Sequence, residues 1–371
     1  MGNGMIAIDI IVPSFRLQAK YLIPIVQMKV PKETTVNFII IADDPSAKIP
    51  DELNRIVNTN NVKLFRNKTN SGASVSRNVG LANSKAEWIL FLDDDIVPST
   101  DLLYSYVNAI QENPNSIGFF GETLFPKPRT IFTKGIIACD ILTFFFLAGY
   151  YEKLKWAPTA NVIIKSSAIG DTRFKEIFPK NGGGEDIDFF LEIHKKTNRE
   201  LLCLTNAPVY HDWWYNEKRN YNRFTRWSFG DSLLHDIYPE YTYYNFPNII
   251  ESMVFGIPIS VAISTYFQSL LPTLCLLVGI ILGECLVEFI RLLIYKGVYQ
   301  SFFTIEAVLI RASNDIGRLY MQLLRLKRLR GIGERFDHFC DGKHIGFQRM
   351  WAGIKFVSYL GIGILCFILL K

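Results

Sequence analysis

The sequence predicts an α/β fold with a Rossmann-like, mostly parallel sheet, followed by a C-terminal α-helical membrane module. Three observations predict it. Short apolar runs that read as strands alternate with helical patterns through residues 1–100, as in a parallel sheet covered on both faces. Three of those runs end in Pro13, in Asp43-Asp44 and in Asp93-Asp94-Asp95. Polar residues therefore gather beyond the carboxyl ends of the strands, where such sheets bind ligands. Finally, apolar residues collect after residue 250 in runs near the ~20 residues needed to cross a bilayer.

The elements follow in order. Residues 6–12 (IAIDIIV), 36–42 (VNFIIIA), 62–66 (VKLFR) and 87–92 (EWILFL) read as buried strands, with helices expected over about 17–28, 49–58 and 73–84. Residues 131–150 are apolar but hold Asp140; they read as a buried helix, with a membrane-surface segment near the acceptor as the alternative. Residues 185–197 read as a helix. The apolar region 253–295 breaks near Gln268–Pro272, which fits a hairpin of two spans, or one span (273–294) behind an interfacial helix. Over 303–330, Ile305, Val308, Leu309, Ala312, Ile316, Leu319, Leu323 and Leu326 line one helical face, and Arg311, Arg318, Arg325 and Arg328 the other. That is the pattern of an amphipathic helix in the membrane interface. Residues 351–370 form a last span. The expected division is a catalytic domain over 1–235 and a membrane module over 236–371.

Charge sharpens this division. The chain of 371 residues has 40 basic and 35 acidic side chains, but residues 291–371 hold 13 basic against 5 acidic. Positive charge beside apolar segments marks the cytoplasmic side of a membrane. A nucleic-acid binder would carry its basic face on the folded domain, so no nucleic-acid partner is expected. The six Cys form no CxxC pair or Cys/His cluster, which argues for reduced thiols and no zinc site. Met1–Ile11 lacks a basic n-region and reads as a first strand rather than a signal peptide.

The acidic motifs carry the chemistry. Asp93-Asp94-Asp95 at a strand end offers oxygen ligands to Mg²⁺ or Mn²⁺, which bind one or two carboxylates and complete their shell with phosphate and water; a solvated acidic turn is the alternative. Glu185 and Asp186 follow Gly182-Gly183-Gly184, a run that lets backbone approach a ligand closely. They could equally be acids complementing a helix N-terminus. His211 ends a strand, so a ligand role competes with that of an ordinary histidine. Trp213, Trp214 and Tyr215 suit a sugar ring or, by preference, the lipid interface.

Residues 70–98 (NSGASVSRNVGLANSKAEWILFLDDDIVP), with Pro13-Ser14-Phe15-Arg16, Ala42-Asp43-Asp44-Pro45-Ser46, Asn161–Lys165, Gly183-Gly184-Glu185-Asp186-Ile187-Asp188 and Val209-Tyr210-His211, occur in an order that resembles glycosyltransferase family 2. The resemblance covers about residues 5–230. It implies a GT-A fold and inverting transfer from a nucleotide diphosphate sugar, with a UDP-sugar expected, assisted by Mn²⁺ or Mg²⁺. It further implies that Pro13, Phe15 and Asp44 frame the base and ribose, that Arg77 faces the nucleotide and its phosphates, and that Asp93 contacts the donor with Asp94 beside it. Asp95 and His211 would hold the metal, Asp186 would be the base with Glu185 next in line, and Asn161 would lie on the acceptor side. Arg223-Phe224-Thr225-Arg226-Trp227 is similar to the Gln-x-x-Arg-Trp motif of processive synthases, with Arg223 in place of Gln. Arg226 would then meet the donor diphosphate and Trp227 the acceptor; docking on anionic lipid is the alternative. The expected acceptor is a lipid-linked glycan or glycolipid, reached from a multi-pass cell-membrane anchor with the catalytic domain cytoplasmic. A polyprenyl-phosphate sugar synthase, a processive polysaccharide synthase and a non-catalytic membrane scaffold are the rival readings.

Overall fold

The computed structural model describes residues 5–57, 59, 61–180, 182–324 and 332–371. Its elements are β1 (Ile6–Ser14), α1 (Ala19–Val26), β2 (Thr34–Ala42), α2 (Asp51–Asn54), β3 (Val62–Arg66), α3 (Ala73–Asn83), β4 (Trp88–Leu92), β5 (Ile96–Pro98), α4 (Leu102–Glu112) and β6 (Gly118–Leu124). There follow α5 (Ile131–Ala138), β7 (Lys153–Leu154), β8 (Asn161–Lys165), α6 (Ser166–Ile169), α7 (Glu185–Thr197), β9 (Leu201–His211), α8 (Asn222–Ile237) and β10 (Thr242–Tyr244). The chain ends with α9 (Ile249–Tyr266), α10 (Leu271–Lys296), α11 (Val298–Ser301), α12 (Thr304–Leu324), β11 (Glu334–Phe336) and α13 (Ile345–Leu370).

The chain divides into two compact units: residues 1–127 with 142–216, and residues 128–141 with 217–371. In the first, one sheet runs β3-β2-β1-β4-β8-β6-β9-β5, with β7 on β9. Its first four strands are mutually parallel, β8 is antiparallel to both its neighbours, and β6 and β9 are parallel again. The strand runs are apolar because both faces are covered: every residue of β4 is buried, and Ile8, Ile10 and Val12 of β1 meet Phe38 and Ile40 of β2 in the core. In-register pairing of β1 with β2 brings Pro13 beside Ile41 and Ser14 beside Ala42. The loops carrying Phe15 and Asp43-Asp44 therefore leave the sheet at one end.

In the second unit α9, α10 and α13 are each long and apolar enough to cross a membrane; elsewhere, the broken pair Ile131–Ala138 and Thr143–Gly149 would be a fourth candidate if counted as one segment. Residues 131–150 are thus not the single buried helix expected: α5 ends at Ala138 and a 3-10 turn takes over from Thr143. Asp140, in the left-handed region, lies in the break.

Helices α9 and α10 form a hairpin. Helix α13 runs antiparallel to α10, with Tyr295 near Trp351 at one end and Gly363 near Cys275 at the other. The crossing is close because Gly279 and Gly283 face α13; a Cβ on Gly279 would lie 2.3 Å from the Tyr359 carbonyl oxygen. Such small-residue contacts characterise helix packing in lipid, where water supplies no driving force. The charges of α10 turn inward: Glu288 takes Arg291 at 2.7 Å and Arg311 at 3.3 Å, while Glu284 pairs with Lys355 at 2.5 Å and with the Tyr359 hydroxyl. Pairing within the bundle is what charges at membrane depth require.

Of the apolar stripe expected on α12, Ile305, Leu309, Ile316 and Leu323 are exposed but Val308 and Leu319 are buried, while Arg318 pairs with Asp315 and Arg311 with Glu288. The arginine face of α12 is therefore turned to protein rather than to water. Arg325, Lys327, Arg328 and Arg330 lie outside the described residues.

Candidate active site

The site is built at the carboxyl ends of β1 and β4, where apolar strands give way to charge. Ser14 closes β1; its hydroxyl donates to the Asp94 carboxylate at 2.6 Å and accepts the Leu17 N–H at 3.0 Å. Asp94 is thereby held against β1. Burial, with Asp95 adjacent, raises its carboxyl to about 6.

Asp95 points the other way. Antiparallel pairing of β5 with β9 sets Ile96 opposite His211, and His211 Nε2 comes within 3.1 Å of Asp95 Oδ1. Nδ1 of the same ring lies 2.5 Å from the Asp212 carbonyl oxygen, and Phe125 stacks on the imidazole at 5.0 Å. Burial works against a proton on His211, but Asp95, the Asp212 carbonyl and Asp93 together outweigh it and the ring is raised above its ordinary value. Arg16 reaches Asp95 at 3.5 Å from an exposed position.

Asp93 faces Arg77, which α3 projects from its second turn. Arg77 Nη2 meets Asp93 at 3.0 Å, and Nη1 meets Glu185 Oε1 at 3.1 Å. Desolvation raises Asp93, and Arg77 pulls it partly back. Glu185 opens α7 after Gly182, Gly183 and Gly184, all at positive φ (85°, 130° and 88°), a region only glycine enters at low cost. Asp186 follows, half-buried, its Oδ1 accepting its neighbour's Ile187 N–H at 2.8 Å. Burial, and then the charge of Glu185, raise its carboxyl to about 7. A carboxylate poised there accepts a proton at neutral pH far better than an ordinary aspartate.

The nucleotide-side expectations divide. Phe15 is exposed beyond the end of β1, and Asp44 is half-buried with its carboxylate held by the Ser46 N–H and hydroxyl, which lower its pKa. Asp43, given no role from sequence, is buried and accepts Asn67 Nδ2 and the Ser71 and Gly72 N–H groups at 2.7–2.9 Å, fastening the loop that starts α3. Asn161 departs from its expected acceptor-side place. It is fully buried, its amide donates to the Glu122 and Ala207 carbonyls, and its oxygen accepts the Tyr106 hydroxyl. With those bonds made inside the sheet, the side chain presents nothing to a ligand.

Trp213 is likewise core, donating to the Pro126 carbonyl at 2.9 Å, and not a lipid anchor. Trp214 packs edge-on to His211, while Tyr215 is exposed. Arg226 and Trp227 lie half-buried on α8 in the second unit, the ring of Trp227 5.9 Å from the Arg223 guanidinium. Ser14 was legible only as part of Pro13-Ser14-Phe15-Arg16; no local signal gave it Asp94 as partner.

Among the described residues no group of three or more His, Cys, Asp or Glu is arranged to hold a metal ion. Asp95 and His211 are a pair, so further ligands would come from phosphate and water, as Mg²⁺ and Mn²⁺ sites commonly arrange.

Residues 9–174 match the model of glycosyl transferase family 2. The chain is 37% identical over 113 residues to an uncharacterised glycosyltransferase of Haemophilus influenzae, covering 29% of this chain and 36% of that one. It is 32% identical over 182 residues to the poly(ribitol-phosphate) beta-N-acetylglucosaminyltransferase TarP of Staphylococcus aureus, covering 46% and 55%. The matched segments thus span about a third to just over half of those relatives' length. A crystal structure of S. aureus TarS 1–349 in complex with UDP aligns over 85% of this chain and 92% of that one at 16% identity and a TM-score of 0.42.

Proposed function

We propose that the protein transfers a sugar from a nucleotide diphosphate sugar, a UDP-sugar by preference, to a hydroxyl of a lipid-linked or glycan acceptor, with inversion at the sugar carbon. One observation carries the reading: Asp93 lies within electrostatic reach both of the raised carboxyl of Asp186 and of Asp95 and His211.

In this reading Pro13, Phe15 and Asp44 receive the nucleoside, and Asp93 faces the donor. Asp186 Oδ2 takes the acceptor hydroxyl proton as the oxygen attacks; assistance of this kind is worth about 10²–10⁴ in rate. Asp95 and His211 are the residues that would hold Mn²⁺ or Mg²⁺. When bound, that ion supplies neutralisation of the charge left on the departing diphosphate. Arg226 remains the candidate second cation for that diphosphate and Trp227 an acceptor contact.

The proposed domain division follows the same logic: catalysis in the N-terminal domain, anchoring in α9, α10, α12 and α13. The hairpin α9–α10 crosses the cell membrane twice and α13 once. The α11–α12 segment then returns to the cytoplasmic side with the catalytic domain, and α12 lies in the interface on its exposed apolar stripe. An acceptor attached to lipid suits a domain tethered in this way. TarP's name gives that protein a poly(ribitol-phosphate) acceptor; for this chain the corresponding proposal is a hydroxyl-rich, lipid-anchored glycan.

The test is release of UDP from a panel of UDP-sugars by purified protein with Mn²⁺ or Mg²⁺, before and after excess chelator. Metal-dependent hydrolysis of one donor is the expected result. Full activity in chelator would remove the metal from the reading, and no activity with any donor would remove the reading.

A further inference from the structure

The sequence places two acids side by side after the glycine run, and either could take the acceptor proton. We infer that Glu185 is a positioning residue, not a second base: with Arg77 it locks the glycine loop and so aims Asp186. The inference rests on the proposed transfer reaction and refines its site.

Both oxygens of Glu185 are engaged, and the residue is only 4% exposed. Oε1 accepts Arg77 Nη1 at 3.1 Å, and Oε2 accepts the Gly183 N–H at 2.6 Å. A guanidinium and a backbone amide thus hold the two oxygens in place, one on the strut and one on the loop. Asp186 differs: Oδ1 accepts its neighbour's N–H, and no donor among the described residues is placed on Oδ2.

Three successive glycines at positive φ have little intrinsic preference for one conformation, since each can cross to the other half of the map. The loop is fixed from outside. At its start the Gly182 N–H meets the Pro179 carbonyl, and at its end the Asp188 N–H meets the Gly184 carbonyl. Between these, the acceptor for Gly183 is the Glu185 carboxylate.

Arg77 secures that carboxylate. It is 5% exposed, its other arm is tied to Asp93 at 3.0 Å, and its guanidinium lies 5.6 Å from the Phe174 ring. Phe174 stacks on Phe189 of α7 at 3.9 Å, and Phe91 of β4 packs edge-on to both rings. Arg77 is therefore a strut between the end of β4 and the start of α7, the two segments that carry Asp93 and Asp186. The charged groups facing Asp186 are Glu185, Arg77 and Asp93, so neutralising Glu185 also removes a negative charge beside it.

The experiment compares wild type, Glu185→Gln, Asp186→Asn and the double variant Arg77→Met/Glu185→Met, each as the full chain in detergent. Three readouts are UDP affinity, amide exchange of the peptide spanning 179–187, and the pH profile of kcat for UDP release. Glu185→Gln should keep UDP affinity within about threefold, exchange faster by at least about tenfold in the loop peptide, and lose about 10–100-fold in kcat. Its acid limb should survive but move to lower pH. The double variant removes the Arg77–Glu185 pair together, though it also takes the Arg77 partner from Asp93, and should bind UDP yet remain slow. A limb abolished by Glu185→Gln would make Glu185 the base. Unchanged loop exchange, or a double variant with wild-type kcat, would overturn the positioning role. Because the exchange readout needs no turnover, it decides the loop claim even if no donor is hydrolysed. Wild-type kcat in Asp186→Asn would instead sink the base assignment.

Discussion

Asp186→Asn should produce an enzyme that is slower and, above neutral pH, more stable. Burial and the charge of Glu185 lift the Asp186 carboxyl from its ordinary 3.8 to about 7. The folded state thus holds that proton more tightly than the unfolded chain, so the stability linked to it is full below about pH 4 and is lost as pH rises through about 7. An interval of about three pH units corresponds to a ceiling of about 4 kcal/mol. Asp186 is only half-buried, so water screens part of this and about 1–3 kcal/mol is the expected gain. Asparagine keeps the shape, can still accept the Ile187 N–H and never ionises. The assay is thermal unfolding of both proteins in the same detergent near pH 4 and near pH 8, where each kcal/mol moves the midpoint by roughly 2–4 °C for a domain of this size. The variant should melt higher near pH 8 and level with wild type near pH 4. A variant equal to or below wild type near pH 8, or one with the same offset at both values, would refute the argument that Asp186 is held at a cost for its chemistry.

Asn161→Ala should lower stability by about 2–4 kcal/mol, because it removes the amide that two strand carbonyls accept from and leaves the Tyr106 hydroxyl only its longer bond to the Asn161 carbonyl, while leaving the KM of surviving protein unchanged; a selective rise in acceptor KM would return it to the acceptor side. Gly279→Leu should separate α10 from α13, since its Cβ would meet backbone at 2.3 Å, and a cysteine cross-link between the two helices should then fail. If cross-linking persists, the close crossing is wrong. For topology, single cysteines at Gln268 and Tyr299 should label from opposite sides of oriented vesicles, with Tyr299 on the catalytic side. Labelling of both from one side would exclude two full crossings by the hairpin.

The parallel half of the sheet was legible because its strands are local and apolar on both faces. The runs 36–42, 62–66 and 87–92 differ from β2, β3 and β4 by at most two residues at either end. The antiparallel insertion of β8 between β4 and β6 was not, since it depends on pairings remote in sequence. The same limit applied at the site. Asp93–Asp95 announced themselves as charge at the end of an apolar strand, but His211 stands beside Asp95 through the register of β5 with β9, which no local pattern encodes. Asn161 took its acceptor-side place from the family resemblance, and the carbonyls it bridges are not visible in the sequence. For Arg77 the resemblance implied only a nucleotide-facing role; its two carboxylate partners lie 16 and 108 residues away.

The central claim is that Asp186 takes a proton while a nucleotide sugar loses its sugar at this site. Single-turnover release of UDP from the donor that wild type prefers, compared between wild type and Asp186→Asn at saturating donor and metal, tests it most directly. The account predicts that the variant binds the donor with unchanged affinity and releases UDP about 10²–10⁴ times more slowly. Release at the wild-type rate would contradict it.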